Sequence, residues 1–346
     1  MKSRSLLSLF AVFLISLIVA VSCTPQKQVS PPSAPTPPAT TSTEVKIGFN
    51  NWIGFFPWEV AQQEKLFAAN NANVNLKWFD GYLDSINALR VGQLDANGQT
   101  LNDVISSVAS GSDQVVVLVN DNSSGSDQII AREGINSIAD LKGKTVAAEE
   151  GTVDHFLLLL GLKKAGLTQK DIKLQPLETG AAAAAFAAGK VDAVGAYAPF
   201  TAKALSRPGS KELFSSKDFP GAISDHLVVS RKMINERPQD VQALVNSWFA
   251  SLDYVKANQE KAYNIMTKRA GVSLKEYKEL EQGVKLLNLE ENLKAFTPGN
   301  DITSLPFAAE EISKFLGETG LAKQKPDLSK LFDARFIQAY AEKHKK

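Results

Sequence analysis

The sequence predicts an α/β chain of two domains, each a parallel-rich sheet flanked by helices. A two-strand hinge joins them, and a helical C-terminal part follows. Three observations carry this. From Val45 onward, short β-branched runs alternate with segments of helical periodicity, the order that builds parallel sheets covered by helices on both faces. Two polar, strand-like stretches at 121–127 and 224–230 stand between apolar runs, and we place the chain crossings there. Beyond Arg231 the apolar residues recur at helical spacing.

In chain order, VKIGFN (45–50) reads as a strand and PWEVAQQEKLF (57–67) as a helix. NVNLKWFD (73–80) is a strand, DSINALRVGQ (84–93) a helix, DANGQT (95–100) a short strand and LNDVISSVAS (101–110) a helix. QVVVLVND (114–121) and GSDQIIAR (125–132) are strands that flank the first crossing, and SIADLKG (137–143) is a short helix. TVAAEE (145–150), IKLQPL (172–177) and AVGAYA (193–198) are strands, separated by helices at 152–166 and 181–189. LVVS (227–230) is one more strand, and helices follow at 238–258 and 305–320. The expected first domain is discontinuous, 45–122 plus 229–346, with the second, 123–228, inserted in it. The apolar run at Leu157–Leu160 lies in a helix too apolar all round to be exposed.

The chain has 346 residues, 44% of them hydrophobic, and a net charge of +1. That is room for two packed domains and no electrostatic footprint for nucleic acid. The N-terminus, MKSRSLLSLFAVFLISLIVAVSC, has Lys2 and Arg4 ahead of an apolar run at 6–21 and small residues before Cys23. It reads as an export signal over residues 1–23. Its end, AVSC, resembles a bacterial lipobox, which implies that Cys23 is lipidated. A lone cysteine forms no internal disulfide. Residues 24–44 are rich in Pro, Ser and Thr and read as an extended tether. Localisation on the outer side of a membrane, held by a lipid, is therefore expected.

In open parallel sheets, ligands bind beyond the carboxyl ends of the strands. The segments there are NNWIGFFPW (50–58), DGYLD (80–84), QTLND (99–103), NDNSSGSD (120–127), EEGTVDH (149–155), AYAPF (196–200) and SDHL (224–227). The IGF-x-x-W strand end, LKGKTVA (141–147), EEGT (149–152), AAFAAGKVDAVGAYAPF (184–200) and the lipidated N-terminus together resemble one family. It is the periplasmic solute-binding proteins of the nitrate/taurine/aliphatic-sulfonate group of ABC importers, which share their fold with thiamine-pyrimidine-binding proteins. The resemblance covers nearly all of residues 45–343. It implies a type II periplasmic-binding-protein fold that closes on a small ligand and hands it to membrane permease and ATPase subunits. A monomer with no cofactor and no catalysis is expected.

Charge at the strand ends speaks to the ligand. The seven segments hold nine acids (Asp80, Asp84, Asp103, Asp121, Asp127, Glu149, Glu150, Asp154 and Asp225) and no Lys or Arg. Buried carboxylates disfavour an anion and favour a cation. The same segments carry Trp52, Phe55, Phe56, Trp58, Tyr82, Tyr197 and Phe200, and aromatic faces attract cations. Guanidinium, planar and able to bind carboxylates in bidentate fashion, fits best. Taurine or an aliphatic sulfonate is the alternative, held by helix N-termini such as that at 151–152, with nitrate beside it. The candidate ligand-binding residues are Trp52, Phe55, Trp58, Asp80, Gln99, Asn102, Asp121, Ser124, Glu149, Glu150, Asp154, His155, Tyr197 and Asp225. Glu149 and Glu150 are adjacent on a strand, so only one of them faces the cleft.

The chain has three histidines and lacks H-x-x-x-H, C-x-x-C and G-x-S-x-G, which speaks against a His-based metal site or an elbow nucleophile. An all-oxygen calcium site needs no fixed motif and stays compatible with the acids. A second alternative is an enzyme of the pyrimidine-synthesis type, which shares the fold. Ser123 or Ser124 with His155 or His226 are the residues a hydrolase would use.

Overall fold

A computed structural model describes residues 43–345. The export signal, Cys23 and the tether up to residue 42 lie outside the described residues. Among the described residues eleven strands form two sheets. They are β1 (Val45–Phe49), β2 (Val74–Trp78), β3 (Ala96–Thr100), β4 (Gln114–Ser123), β5 (Asp127–Ala131), β6 (Thr145–Ala148), β7 (Lys173–Pro176), β8 (Ala193–Tyr197), β9 (Lys211–Ser215), β10 (Ser224–Ser230) and β11 (Val284–Leu286). The first sheet runs β11-β4-β10-β3-β1-β2, the second β7-β6-β8-β5-β9.

The strands with the most apolar sequences take the middle. VVVLV of β4 and LVV of β10 are buried throughout, as strands covered on both faces must be. β1 is parallel to β2 and β3, with Ile47 opposite Leu76 and Phe49 opposite Trp78. β6 is parallel to β7 and β8. Each sheet also holds a strand that runs against its neighbours: β10 is antiparallel to β3 and β4, and β5 is antiparallel to β8 and β9. These reversed strands are where the chain passes between sheets. β4 ends in the first sheet and β5 begins in the second. β9 ends in the second and β10 begins in the first.

The second passage therefore lies at 216–223, ahead of the stretch 224–230 where the sequence placed it. All of β10 belongs to the first sheet, including residues 224–228 of the expected second domain. The polar start of β10, SDH, reads as a crossing because three polar residues in a row are unusual in a central strand. Here they are buried. Two strands, β9 (KELFS) and β11 (VKL), were not expected. Both are short, charged edge strands, which carry little apolar pattern.

The helical tail packs on the first sheet. Trp248, from the helix Pro238–Ala257, tilts against Trp58 at 4.9 Å, and Trp58 also stacks on Phe67. The helix Val153–Lys164 is buried nearly all round, as its composition predicts. Its Gly161 lies against Phe214 of β9, and a Cβ there would run into the ring. Gly161→Ala is expected to destabilise the fold by about 1–3 kcal/mol through overpacking; a thermal melt level with the parent chain would contradict this contact. No helix among the described residues is long and apolar enough to cross a membrane.

Candidate functional site

The sheets present their strand ends to one another, and a shared polar cluster forms there. From the first sheet come Asn50 and Trp52 beyond β1, Thr100 at the end of β3, Asn102 and Asp103 in the next helical turn, Asp121 on β4 and Asp225 on β10. Tyr82 opens the helix Tyr82–Arg90. From the second come Asp127 at the start of β5, Glu149 after β6, Asp154 in the first turn of Val153–Lys164, Thr179 at the start of Thr179–Ala187, and Tyr197 at the end of β8. Every one is buried.

Hydrogen bonds order the cluster. Trp52 Nε1 donates to both oxygens of Asp121, at 3.1 and 3.2 Å. Asp225 faces Asp121 in the β10–β4 register, and burial raises both carboxyls above the usual carboxylate range. Thr100 Oγ1 donates to Asp103 at 2.6 Å, and Asn102 Nδ2 donates to its other oxygen at 2.8 Å. Thr179 Oγ1 reaches Asp154 at 2.5 Å and Glu149 at 3.2 Å. Three contacts bridge the two sheets' residues: Asn50 Nδ2 donates to Tyr197 Oη at 3.2 Å, the Leu83 N–H donates to Glu149 at 2.8 Å, and the Trp52 and Tyr197 rings meet edge-on.

The electrostatics are one-sided. Six carboxyl groups (Asp103, Asp121, Asp127, Glu149, Asp154 and Asp225) are buried, and none joins an ion pair among the described residues. Burial pushes Asp103 and Asp127 up to about 7 and Asp121 up to about 8. Burial, then neighbouring carboxylates, drives Asp154 and Asp225 well above the usual carboxylate range. Glu149 is raised for the same first reason. Asp127 Oδ2 and Asn102 Oδ1 are buried acceptors with no donor. A group that brings positive charge and N–H donors would complete this site.

Of the residues singled out in sequence, Trp52, Asn102, Asp121, Glu149, Asp154, Tyr197 and Asp225 come together here. Others do not. Phe55 packs on Phe49 and against Gly98, and Trp58 sits among Phe49, Phe67 and Trp248; both are core. Gln99 is also core: its amide faces Gln114, and its carbonyl meets His226. Asp80, Asp84, Ser124 and Glu150 are exposed. The strand alternation therefore resolves in favour of Glu149, and Glu150→Gln is expected to change ligand affinity less than twofold by calorimetry. His155 is buried but turned away. Its ring bonds Gln169 at 2.9 Å and accepts from the Gly151 N–H, so it holds its own helix turn.

Sequence reasoning missed Asn50, Thr100 and Thr179 as site residues. For Thr179 a signal existed: the strand-end rule, applied after β7, points to LETG at 177–180. Asn50 and Thr100 look like ordinary strand-end polars, and only the opposing sheet gives them a role. Among the described residues no group of three or more His, Cys, Asp or Glu is placed to hold a metal ion.

Two α/β sheets linked by two chain passages, closing on a buried polar cluster, define the periplasmic-binding-protein architecture. The alkanesulfonate-binding protein of Xanthomonas axonopodis pv. citri bound to MOPS has this fold, with a TM-score of 0.71, 19% identity, and coverage of 84% of this chain and 98% of that one. Residues 38–268 match the NMT1-like family, and the chain belongs to it. Among relatives, a putative binding protein of Brucella abortus is 28% identical over 264 residues, 74% of this chain and 81% of the relative. A putative aliphatic sulfonates-binding protein of Escherichia coli is 27% identical over 232 residues, 66% of this chain and 72% of the relative.

Proposed function

We propose that this chain is the extracytoplasmic solute-binding component of an ABC importer that closes on a small nitrogen-rich cation, for which guanidinium is the best fit. In this reading the chain is a monomer that performs no chemistry on its ligand, passes it to permease and ATPase subunits, and is held to the membrane through lipidated Cys23. Its two lobes correspond to the two sheets, with the hinge at 123–127 and 216–224.

The observation that carries the ligand assignment is the set of six buried carboxyl groups without a basic partner. Asp127 Oδ2 and Asn102 Oδ1 add unmet acceptors. A guanidinium offers planar pairs of N–H donors, which carboxylates accept two at a time. Trp52, Tyr82 and Tyr197 offer aromatic surface, worth roughly 0.5–2 kcal/mol to a well-placed cation. Closure follows from differential affinity: a ligand bound by Asp121 and Asp225 on one side and by Glu149 and Asp154 on the other favours the closed state.

The second reading is a sulfonate such as taurine, favoured by relatives such as the putative aliphatic sulfonates-binding protein of Escherichia coli. It places an anionic head among these acids, at an electrostatic cost wherever they ionise. A melting screen separates the two, with guanidinium, methylguanidine, urea, taurine, ethanesulfonate and nitrate at matched ionic strength. A ligand specific to the folded state adds about 2.7 kcal/mol at a hundredfold excess over Kd. A shift with guanidinium supports the cation. A shift with taurine or ethanesulfonate alone refutes it.

A further inference from the structure

We infer that the protein has a second ligand site, behind the hinge, which takes a short aliphatic carboxylate. A cavity of about 200 Å³ lies there, and none of the six buried carboxyl groups lines it. Its walls come from the end of β4, the second passage at Gly221, the start of β10, β11, the helix Leu289–Ala295 and the turn ahead of the helix Leu305–Thr319. Asn122 and Ser224, both on the wall, face each other in the β4–β10 register, one step from the pair Asp121 and Asp225. Successive side chains on a strand leave opposite faces. The cavity and the polar cluster therefore stand back to back across the same two strands.

The polar groups on the wall differ in what they lack. Glu291 is engaged at both oxygens: Lys285 Nζ lies 2.6 Å from one, and the Asn288 N–H donates to the other at 3.0 Å. Asp301, the acid whose charge reaches Lys294, accepts from the Thr303 N–H at 2.8 Å and from its hydroxyl at 2.5 Å. Lys294 forms no ion pair, and the Asn122 side chain no hydrogen bond, among the described residues. The acids are thus satisfied, while an ammonium and an amide that can both donate are left over. An anionic head meets them with charge-assisted hydrogen bonds. Much of the remaining wall is apolar, from Val119, Leu287, Ala295, Ile302 and Leu305. Pockets for drug-sized ligands begin at roughly 300 Å³, so the apolar body is a short chain. Inorganic phosphate could use Lys294 but would leave the apolar wall without a partner.

The cavity also abuts the chain passages. Gly221, at a φ of +78°, lies directly on Ile302: a Cβ added there would come within 2.6 Å of the Ile302 side chain. The buried hydroxyls of Ser123 and Ser216, 2.8 Å apart, tie the end of β4 to the second passage. An occupant that props Ile302 against Gly221 therefore bears on both links between the sheets. It would bias the closure proposed above, although the site itself does not depend on that closure.

The test is calorimetry with pentanoate against pentanamide and inorganic phosphate, joined to hydrogen exchange of the backbone amides. It uses the parent chain, Lys294→Met, which removes the charge from an exposed position, and Ala295→Val, which narrows the cavity, with a thermal melt to check folding. Asn122→Ala reads the same wall should Ala295→Val not fold. Pentanoate is expected to bind at least tenfold tighter than either competitor, and Lys294→Met is expected to abolish that preference. Ala295→Val is expected to weaken pentanoate at least tenfold, and pentanoate to slow exchange at 219–224 and 285–305. No binding of pentanoate at millimolar concentration would overturn the site, as would equal affinity for pentanamide or affinity unchanged in both variants. Slowed exchange confined to 149–155 and 196–200 would place the carboxylate in the cleft and overturn it too. Each of these failures leaves the guanidinium reading of the cleft standing, since that rests on a different ligand and different residues.

Discussion

Asp225→Asn is expected to weaken guanidinium binding by more than tenfold, about 1.4 kcal/mol or more, and to leave the fold intact. Asp225 is buried on a central strand opposite Asp121, with further carboxylates around it and no cation partner among the described residues. The amide keeps the shape and stays neutral where the acid must ionise to hold a cation. The unliganded protein should therefore melt at the same temperature, or higher at a pH where the acid would be forced to ionise. The liganded protein loses a charge-assisted bond, and losses at buried charge pairs commonly reach 2–5 kcal/mol. Affinity and stability thus move in opposite directions, which a purely structural role cannot produce. Asp121→Asn should behave alike, although it also leaves Trp52 Nε1 with a weaker acceptor. Titration calorimetry paired with a melt decides the matter; full affinity in both variants would remove the carboxylate clamp.

Binding should also release protons. Asp103 and Asp127 are raised to about 7 and Asp121 to about 8 by burial, whereas the unfolded chain titrates its aspartates near 4. Between these values the folded state holds protons that the unfolded state has lost. Stability of the ligand-free protein therefore falls as pH rises from about 4 through about 8. A cation binds the deprotonated carboxylates and expels those protons. Its affinity should tighten between pH 5 and pH 8, by up to about tenfold per pH unit for each proton released. Calorimetry in two buffers of different ionisation enthalpy counts the protons directly. A pH-independent affinity with zero release would mean that the cluster stays protonated around its ligand.

The alternation of strands and helices was legible because the core strands have unambiguous composition, as in VVVLV of β4 and the β-branched run of β10. Edge strands β9 and β11 were not, since one exposed face and few residues leave no pattern to read. The buried acid cluster was legible as a charge imbalance at strand ends. Trp58 and Phe55 were indistinguishable from Trp52 in sequence, because an aromatic beyond a strand serves a core or a cleft equally well. Helix packing decided it: Trp248 claims Trp58, while Asp121 claims Trp52. His155, one residue from Asp154, faces Gln169 because a step of one on a helix turns the side chain by roughly 100°.

Finally, β4 and β10 are antiparallel neighbours, and every strand of the second sheet lies between them in sequence. The first sheet keeps all six of its strands if residues 124–223 are removed. The second lobe thus has the layout of a cassette grown from the tip of a β-hairpin. Recombination can exchange such a cassette between relatives through two closely spaced junctions, carrying Asp127, Glu149, Asp154 and Tyr197 as a block while Asp121 and Asp225 stay behind. On the proposed reading, such an exchange would replace the far wall of the site and leave the pair Asp121 and Asp225 in place.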